Sequence, residues 1–546
     1  MTWLLFCKRL HQFLACNRQG RSTERSNQVS HSTVNITCKT LQEHQAQIDV
    51  RIEEFFDTKH LKGNLKERSV RGGVVTMLQY GTTFIMRTAS TIMLARLLTP
   101  QDYGLIAMVT AITNFVMMLK DLGLSIATIQ KVELNHSQVS TLFWINAAGG
   151  LGLTLLTAVL APGIAWFYGE PRLMWITLTL AGVFLFAGLT TQHQALLRRQ
   201  MRFGTLAVVE IISLAVGVGT AIVAAYYGAD YWALVLMQLA IPVSNATGVW
   251  IACRWRPGWP ARRSGIRSMV HFGLNVTAFN IVNYFSRNLD NVLIGRFYGL
   301  GVLGLYSRAY SLLLWPIDYI RAPLTLVAMP ALSRIQNDPV RYRIYCYKLT
   351  SLLALISMPL MIFMAICSDS VTRILLGEKW TGAAILFQIM AITGFVQTSA
   401  SIRTLVQISL GQSGRYLRFG VFHSIFTVAS FIIGLPWGPV GVATSYAIVN
   451  YLILIPSLWY CFRFSPITTV VFLKAVLRPT IASLCMGAVI FPIYLSLGNQ
   501  PDIVVVGACF ALGLLMYLLA LVLIPGGLQM LREFLSYIKL LFQKTN

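Results

Sequence analysis

From Gly72 onward the chain is a succession of apolar stretches of roughly 20 residues separated by short polar loops, the length a helix needs to cross about 30 Å of hydrocarbon. Fourteen such stretches are expected to be membrane helices. The first seven fall near 73–95, 103–122, 140–161, 173–196, 205–227, 231–252 and 268–292. The rest fall near 303–327, 347–367, 382–408, 416–436, 439–461, 473–496 and 503–524. In the tail, Leu528, Leu531, Phe534, Leu535 and Ile538 share one helical face and predict an interfacial amphipathic helix. Residues 1–68 have no such run. Their apolar start at 3–6 is shorter than a signal-peptide core of about 7–15 residues, so a polar, largely disordered cytoplasmic extension is expected.

Two of these stretches repeat one pattern 200 residues apart. Gly73 is matched by Gly273, Arg87 by Arg287, Arg96 by Arg296, and Gly104-Leu105 by Gly304-Leu305. Each copy carries a polar face stepped by three and four: Thr76, Gln79, Thr83, Arg87 and Ser90 in one, Asn280, Asn283, Arg287 and Asp290 in the other. A polar stripe at membrane depth in corresponding helices of two halves predicts a transporter made by duplication. The copies are offset by six spans, an even number, so both halves enter the membrane in the same direction. The expected architecture is all-α and integral to the membrane, with about 14 transmembrane helices. Two parallel six-helix lobes (69–253 and 268–463) surround a central cavity, joined by a basic linker (254–267). Helices 13 and 14 (464–526) and an amphipathic tail (527–546) follow.

Composition agrees with that pattern. Of 546 residues, 55% are hydrophobic and 12% charged, about half the charge of a soluble chain, and the mean hydropathy is +0.63. The net charge of +24 would suggest nucleic acid in a soluble protein. Here the basic residues sort by loop instead. Even-numbered loops hold 16 of them, including Arg198, Arg199, Arg202, Arg254, Arg256, Arg334, Arg415 and Arg463. Odd-numbered loops hold only Arg96, Arg172, Arg296, Arg373 and Lys379. That alternation places both termini in the cytoplasm, supports an even count of spans, and leaves no case for nucleic acid. Nine scattered cysteines without a CxxC pair indicate neither a disulfide framework nor a zinc site.

Ionisable groups within spans carry the functional signal, because each costs several kcal/mol unless it meets water or a partner. Arg87 and Arg403 lack a local carboxylate, and with Arg287 they make an electropositive cavity suited to a large anionic cargo. Gln79, Thr83, Asn280 and Asn283 extend the same pathway. Asp290, Asp318 and Glu210 are candidates for ion coupling, each with a structural alternative. Asp290 can neutralise Arg287, Asp318 can neutralise Arg321, and Glu210 can pair with the nearby basic cluster. Arg308 and His271 lie near span ends and can reach the interface, and His423 reads as structural or as a proton relay. Pro316 and Pro323 predict a hinge, and Gly149, Gly150 and Gly152 close helix packing. No P-loop, Asp-x-Asp pair, metal-ligand cluster or nucleophile elbow occurs, so neither an enzyme nor a bound cofactor is expected.

The stretches ARLLTPQDYGLIAM (95–108), KDLGLSIATIQ (120–130), RRQMRF (198–203), NVLIGRFYGLGVLGLYSRAYSLLLWP (291–316), MPALSRIQNDPVRYR (329–343) and LLGEKW (375–380) resemble signatures of the polysaccharide-transporter (Wzx-type) flippases. These belong to the multidrug/oligosaccharidyl-lipid/polysaccharide exporter superfamily. The likeness runs from about residue 65 to 500. It implies two six-helix lobes around a cavity lined by the first helix of each. It also implies alternating-access movement of an undecaprenyl-diphosphate-linked oligosaccharide across the bacterial inner membrane for capsule, exopolysaccharide or O-antigen assembly. A proton or sodium gradient would drive it, and a polysaccharide polymerase or export machinery would be a partner beside the membrane lipids. A small-molecule exporter of the same superfamily and a non-transporting scaffold for polysaccharide synthesis are the alternatives.

Overall fold

Among the described residues the expected apolar stretches are helical. The computed structural model describes residues 65–119, 124–130, 134–260 and 267–542, and every element among them is helical. In the first half these are α1 (Leu65–Leu97), α2 (Pro100–Met118), α3 (Leu124–Gln130), α4 (His136–Tyr168), α5 (Arg172–Arg199), α6 (Phe203–Tyr226) and α7 (Tyr231–Cys253). After the linker come α8 (Arg267–Arg334), α9 (Pro339–Ile366), α10 (Ser368–Leu376), α11 (Ala384–Ala400), α12 (Ile402–Ser409), α13 (Ser413–Gly434) and α14 (Gly438–Phe462). The chain ends in α15 (Thr469–Ser496), α16 (Asp502–Leu523) and α17 (Gly527–Phe542). The first 64 residues, the subject of the expected cytoplasmic extension, lie outside the described residues.

Local chemistry sets the boundaries. Thr99 and Asp102 form a reciprocal capping box at the start of α2, with Pro100 at its first position. Gly169 ends α4 in the left-handed region at φ 70°, and Asp338 accepts from the N–H groups of Val340 and Arg341 to start α9. Where a loop was expected between spans seven and eight, α8 continues almost unbroken. Its non-helical residue is Gly299, at φ 79° and ψ −173°, a conformation open in practice to glycine alone. α8 therefore has two arms, 267–298 and 300–334. The tenth expected span is divided, α11 ending and α12 beginning around Ser401.

Nine helical stretches among the described residues are long and apolar enough to cross a membrane, and one of them, Gly414–Phe462, contains both α13 and α14. The expected count of 14 is a proposal beyond that. The protein is a multi-pass membrane protein on its surface as well. Val159, Trp166, Leu452 and Leu523 are each 69% exposed or more, as side chains facing lipid are and the core of a soluble domain is not.

Helix packing defines two groups. α1 packs on α6, and α4 to α7 pack among themselves; α8 packs on α11 and α13, α9 on α11 and α15, and α13 on α14. The groups meet chiefly where α2 lies along α8. Small residues permit the close crossings: a Cβ on Gly150 would come within 2.6 Å of the Phe184 carbonyl oxygen, whereas Gly149 and Gly152 meet nothing. Of the three glycines expected to serve packing, Gly150 is the one that does.

The buried apolar residues among those described form three clusters, placed at different ends of the helices. The largest joins both halves. The first half contributes to it Leu94 to Val109, Ile164 to Leu180 and Ala221 to Val235, all at one end of the helices. At the opposite end each half has its own cluster, Leu124 to Trp255 in the first and Ala328 to Val476 in the second. The halves are thus sealed together at one end and have separate cores at the other. The end with separate cores is the basic end, where Arg198, Arg199, Arg334 and Arg415 stand in the end turns of their helices and Arg254 and Arg463 just beyond theirs.

Candidate substrate pathway

The seal is built on the repeated glycines. A Cβ on Gly104 would lie 2.0 Å from the carbonyl oxygen of Leu300, and one on Gly304 would lie 1.9 Å from that of Pro100. Positions 100 and 300, like 104 and 304, correspond in the repeat, so each contact is the mirror of the other. The two halves meet here about a local two-fold relation, backbone on backbone, as only glycine allows. The residues around it reach across the same seam. Buried Trp380 donates from Nε1 to the Ala95 carbonyl oxygen at 2.9 Å, and its ring meets Tyr103 edge-on at 5.2 Å. The Arg308 guanidinium lies 4.3 Å over Tyr103, so it braces the seam and does not snorkel. Arg96 donates to the Ile374 carbonyl oxygen at 3.1 Å, and Arg296 lies 5.8 Å from the centre of the Phe167 ring.

Below the seam is a cavity of about 640 Å³, formed by both arms of α8 with α11 to α14 and closed on one side by Tyr80 of α1. Its lining runs from Asp290 and Phe431 on the seam side to Thr325 and Tyr416 toward the basic end. A second cross-half contact, Phe84 against Tyr319 with ring centres 4.5 Å apart, lies beside Tyr80. About half of the wall's positions are polar or charged, with six tyrosine and phenylalanine rings set among them, a lining suited to a polar ligand.

The polar points divide by what holds them. Asp290 is only 2% exposed; its carboxylate accepts from the Tyr306 hydroxyl and from the Asn291 N–H, both at 2.8 Å. Asp318 is bound by Arg321 at 2.7 Å, the neutralising pair that the spacing allowed, and both side chains are well exposed. Gln397 donates to the Tyr446 hydroxyl at 2.8 Å and approaches Asn450. Arg403 donates to the Ala400 carbonyl oxygen at 2.9 Å and to the Ser457 hydroxyl, and packs over Phe419. No carboxylate among the described residues lies within ion-pair distance of it. Of a guanidinium's five N–H groups two are engaged there, which leaves about three for an anion.

The remaining predicted residues fall elsewhere. Gln79 donates to Glu210 at 2.6 Å, tying α1 to α6 inside the first half. Thr83 is buried and bonds the backbone of its own helix. Arg87 is exposed, and none of Gln79, Thr83 and Arg87 lines the cavity; Tyr80 does so for α1. The side chains of Asn280, Asn283 and Arg287 lie outside the described residues, as do those of His271, Pro316 and Pro323, although the backbone at both prolines is helical. The expected positive excess is therefore narrower: two arginines and two aspartates line the described wall, and Arg403 is the unanswered charge. Sequence reasoning passed over Tyr306, Tyr446, Asn450 and Ser457 because it weighed charges. A signal was present, since 446, 450 and 457 share one face of α14 by the steps that marked α1.

The fold is that of known transporters. It is similar to the lipid II flippase MurJ in an inward closed conformation, with a TM-score of 0.68 at 14% identity over 83% of this chain and 98% of that one. It is also similar to an inward-facing multidrug resistance MATE family transporter of the MOP superfamily, with a TM-score of 0.54 at 14% identity over 73% and 95%. In sequence, it is 28% identical to the teichuronic acid biosynthesis protein TuaB of Bacillus subtilis over 70% of this chain and 80% of the relative. It is 25% identical to the lipopolysaccharide biosynthesis protein WzxC of Escherichia coli over 83% and 89%. The family model for polysaccharide biosynthesis proteins matches residues 93–385, more than half of the chain and the whole sealed seam, and the chain belongs to that family.

Proposed function

We propose that this protein is a flippase that moves an undecaprenyl-diphosphate-linked oligosaccharide across the bacterial cytoplasmic membrane for polysaccharide assembly. The observation that carries the reading is the asymmetry of the two ends: a polar, aromatic-walled cavity leads toward the basic end, while the glycine seam closes the other. By the positive-inside rule the basic end faces the cytoplasm, so the cavity is open to the leaflet in which a lipid-linked precursor is built. Arg403 attracts the diphosphate or an acidic sugar, and its free N–H groups suit the paired oxygens of either anion. Tyr310, Tyr416 and Tyr446 offer aromatic faces and hydroxyls to the saccharide, and the lipid tail stays in the bilayer beside α1. Arg87, Arg287, Asn280 and Asn283 receive the head group as it moves between the halves.

Opening the glycine seam and closing the basic end then delivers the head group to the other side. Of the three candidate carboxylates for a coupling proton or sodium ion, Asp290 is the one withdrawn from solvent beside the cavity; Asp318 is committed to Arg321 and Glu210 to Gln79. The prolines at 316 and 323 lie in the α8 arm that moves. The test is complementation: cells lacking the gene receive the Arg403→Ala variant, and surface polysaccharide is measured at matched protein level. Loss of about tenfold, the equivalent of one charge-assisted contact, is expected. Full export by this variant would contradict the cavity's role, and drug resistance gained without polysaccharide would favour a small-molecule exporter.

A further inference from the structure

A second cavity, of about 200 Å³, lies at the basic end of the second half between α9, α15 and α17 and shares no residue with the first. Lys348, Arg478 and Gln529 form its polar side, Leu352 and Phe534 its apolar side. The two cations have matching depth. Each stands nine residues after the start of its helix, Pro339 for α9 and Thr469 for α15. Each is also the last charged residue of its helix, with 18 uncharged helical residues after it, 349–366 and 479–496. Eighteen residues rise about 27 Å in a helix, close to the hydrocarbon thickness of about 30 Å. Lys348 and Arg478 therefore stand at the edge of the hydrocarbon, at the level of lipid headgroups.

The turn into α17 is shaped around this site. Gly526 has φ 78°, and a Cβ there would lie 2.6 Å from Nη2 of Arg478; a Cβ on Gly527 would lie 1.8 Å from the Leu521 carbonyl oxygen. Bare backbone at both positions lets the guanidinium lie against the turn and lets α17 fold over it. Met530, Leu531 and Phe534 pack onto the main core, and Glu533 approaches Lys348 at 3.8 Å. Arg478 itself makes no ion pair with the described residues. Two cations against one carboxylate, at headgroup depth and beside an apolar wall, call for an anion with an apolar tail.

We propose that Lys348, Arg478 and Gln529 bind the phosphodiester of an anionic glycerophospholipid in the leaflet at the basic end, and that this lipid fastens α17 to the second half. The assignment is independent of the cargo; only the naming of the leaflet as cytoplasmic rests on the loop charges. The experiment uses the full-length protein in phosphatidylcholine nanodiscs with and without phosphatidylglycerol, with retained lipid counted by native mass spectrometry. Wild type is expected to retain phosphatidylglycerol, Arg478→Gln and Lys348→Gln each to bind it roughly tenfold more weakly, and Arg478→Lys to keep part of it. Thermal unfolding in phosphatidylcholine alone checks that each variant is folded, and the upward shift that phosphatidylglycerol gives wild type is expected to vanish in Arg478→Gln. Inorganic phosphate, added as competitor, leaves the lipid in place. Wild-type retention by folded Arg478→Gln and Lys348→Gln would overturn the proposal, as would displacement of the lipid by inorganic phosphate.

Discussion

Arg403 is held by neutral acceptors, the Ala400 carbonyl and the Ser457 hydroxyl, with an aromatic ring beneath it. That arrangement fixes the guanidinium without cancelling its charge. Replacing it with lysine keeps the charge and loses the fork, so Arg403→Lys is expected to export less than wild type and more than Arg403→Ala, the gap measuring paired-oxygen contact. Asp290→Asn keeps the size of the side chain and its bond to Tyr306 while removing the charge. Transport driven by an imposed proton or sodium gradient in vesicles is expected to lose its dependence on that gradient; retained dependence would assign coupling to another group. The charged members of this site could be read from the sequence because an ion in a span is rare. Their neutral partners could not, since a tyrosine or serine in a membrane helix is common, and only three-dimensional proximity separates Tyr306 or Ser457 from its many equivalents.

Gly104 and Gly304 show the same limit for elements. The repeat identified them as a pair, but not that each packs against the chain beside the other. The expected spans could be read because hydrocarbon thickness imposes a length on every one; the break at Gly299 could not, since a short gap between two apolar stretches reads as a loop whether the turn takes many residues or one. A substitution in the glycine seam is expected to shift the balance between sealed and open states. Gly304→Val places methyl groups where the Pro100 carbonyl stands, an overpacking of about 1–3 kcal/mol or more in the sealed arrangement. The balance then shifts toward the open arrangement by roughly five- to 150-fold. A cysteine introduced at Leu303, which is fully buried in the seam, is expected to react faster with a membrane-impermeant maleimide in that background. Equal rates in both backgrounds would mean that the glycine contact does not hold the halves together.

Among the described residues one apolar core crosses both halves and two do not. In lipid there is little hydrophobic drive to hold helices together, so close backbone packing decides which end is sealed. The glycine seam supplies that packing at one end only. Alternation between ends requires exchange of which contacts are made; because both halves run in the same direction, the repeat pairs corresponding residues at the same end, as Gly104 and Gly304 are paired in the seam. The central claim is that this exchange carries a lipid-linked saccharide across the bilayer. Its most direct test is reconstitution of the purified full-length protein in proteoliposomes holding an undecaprenyl-diphosphate-linked oligosaccharide with a fluorescent sugar. Quenching from outside is followed over time. The account predicts that the protected fraction becomes accessible with wild type and about tenfold more slowly with Arg403→Ala. A protected fraction that stays constant with folded wild-type protein would contradict it.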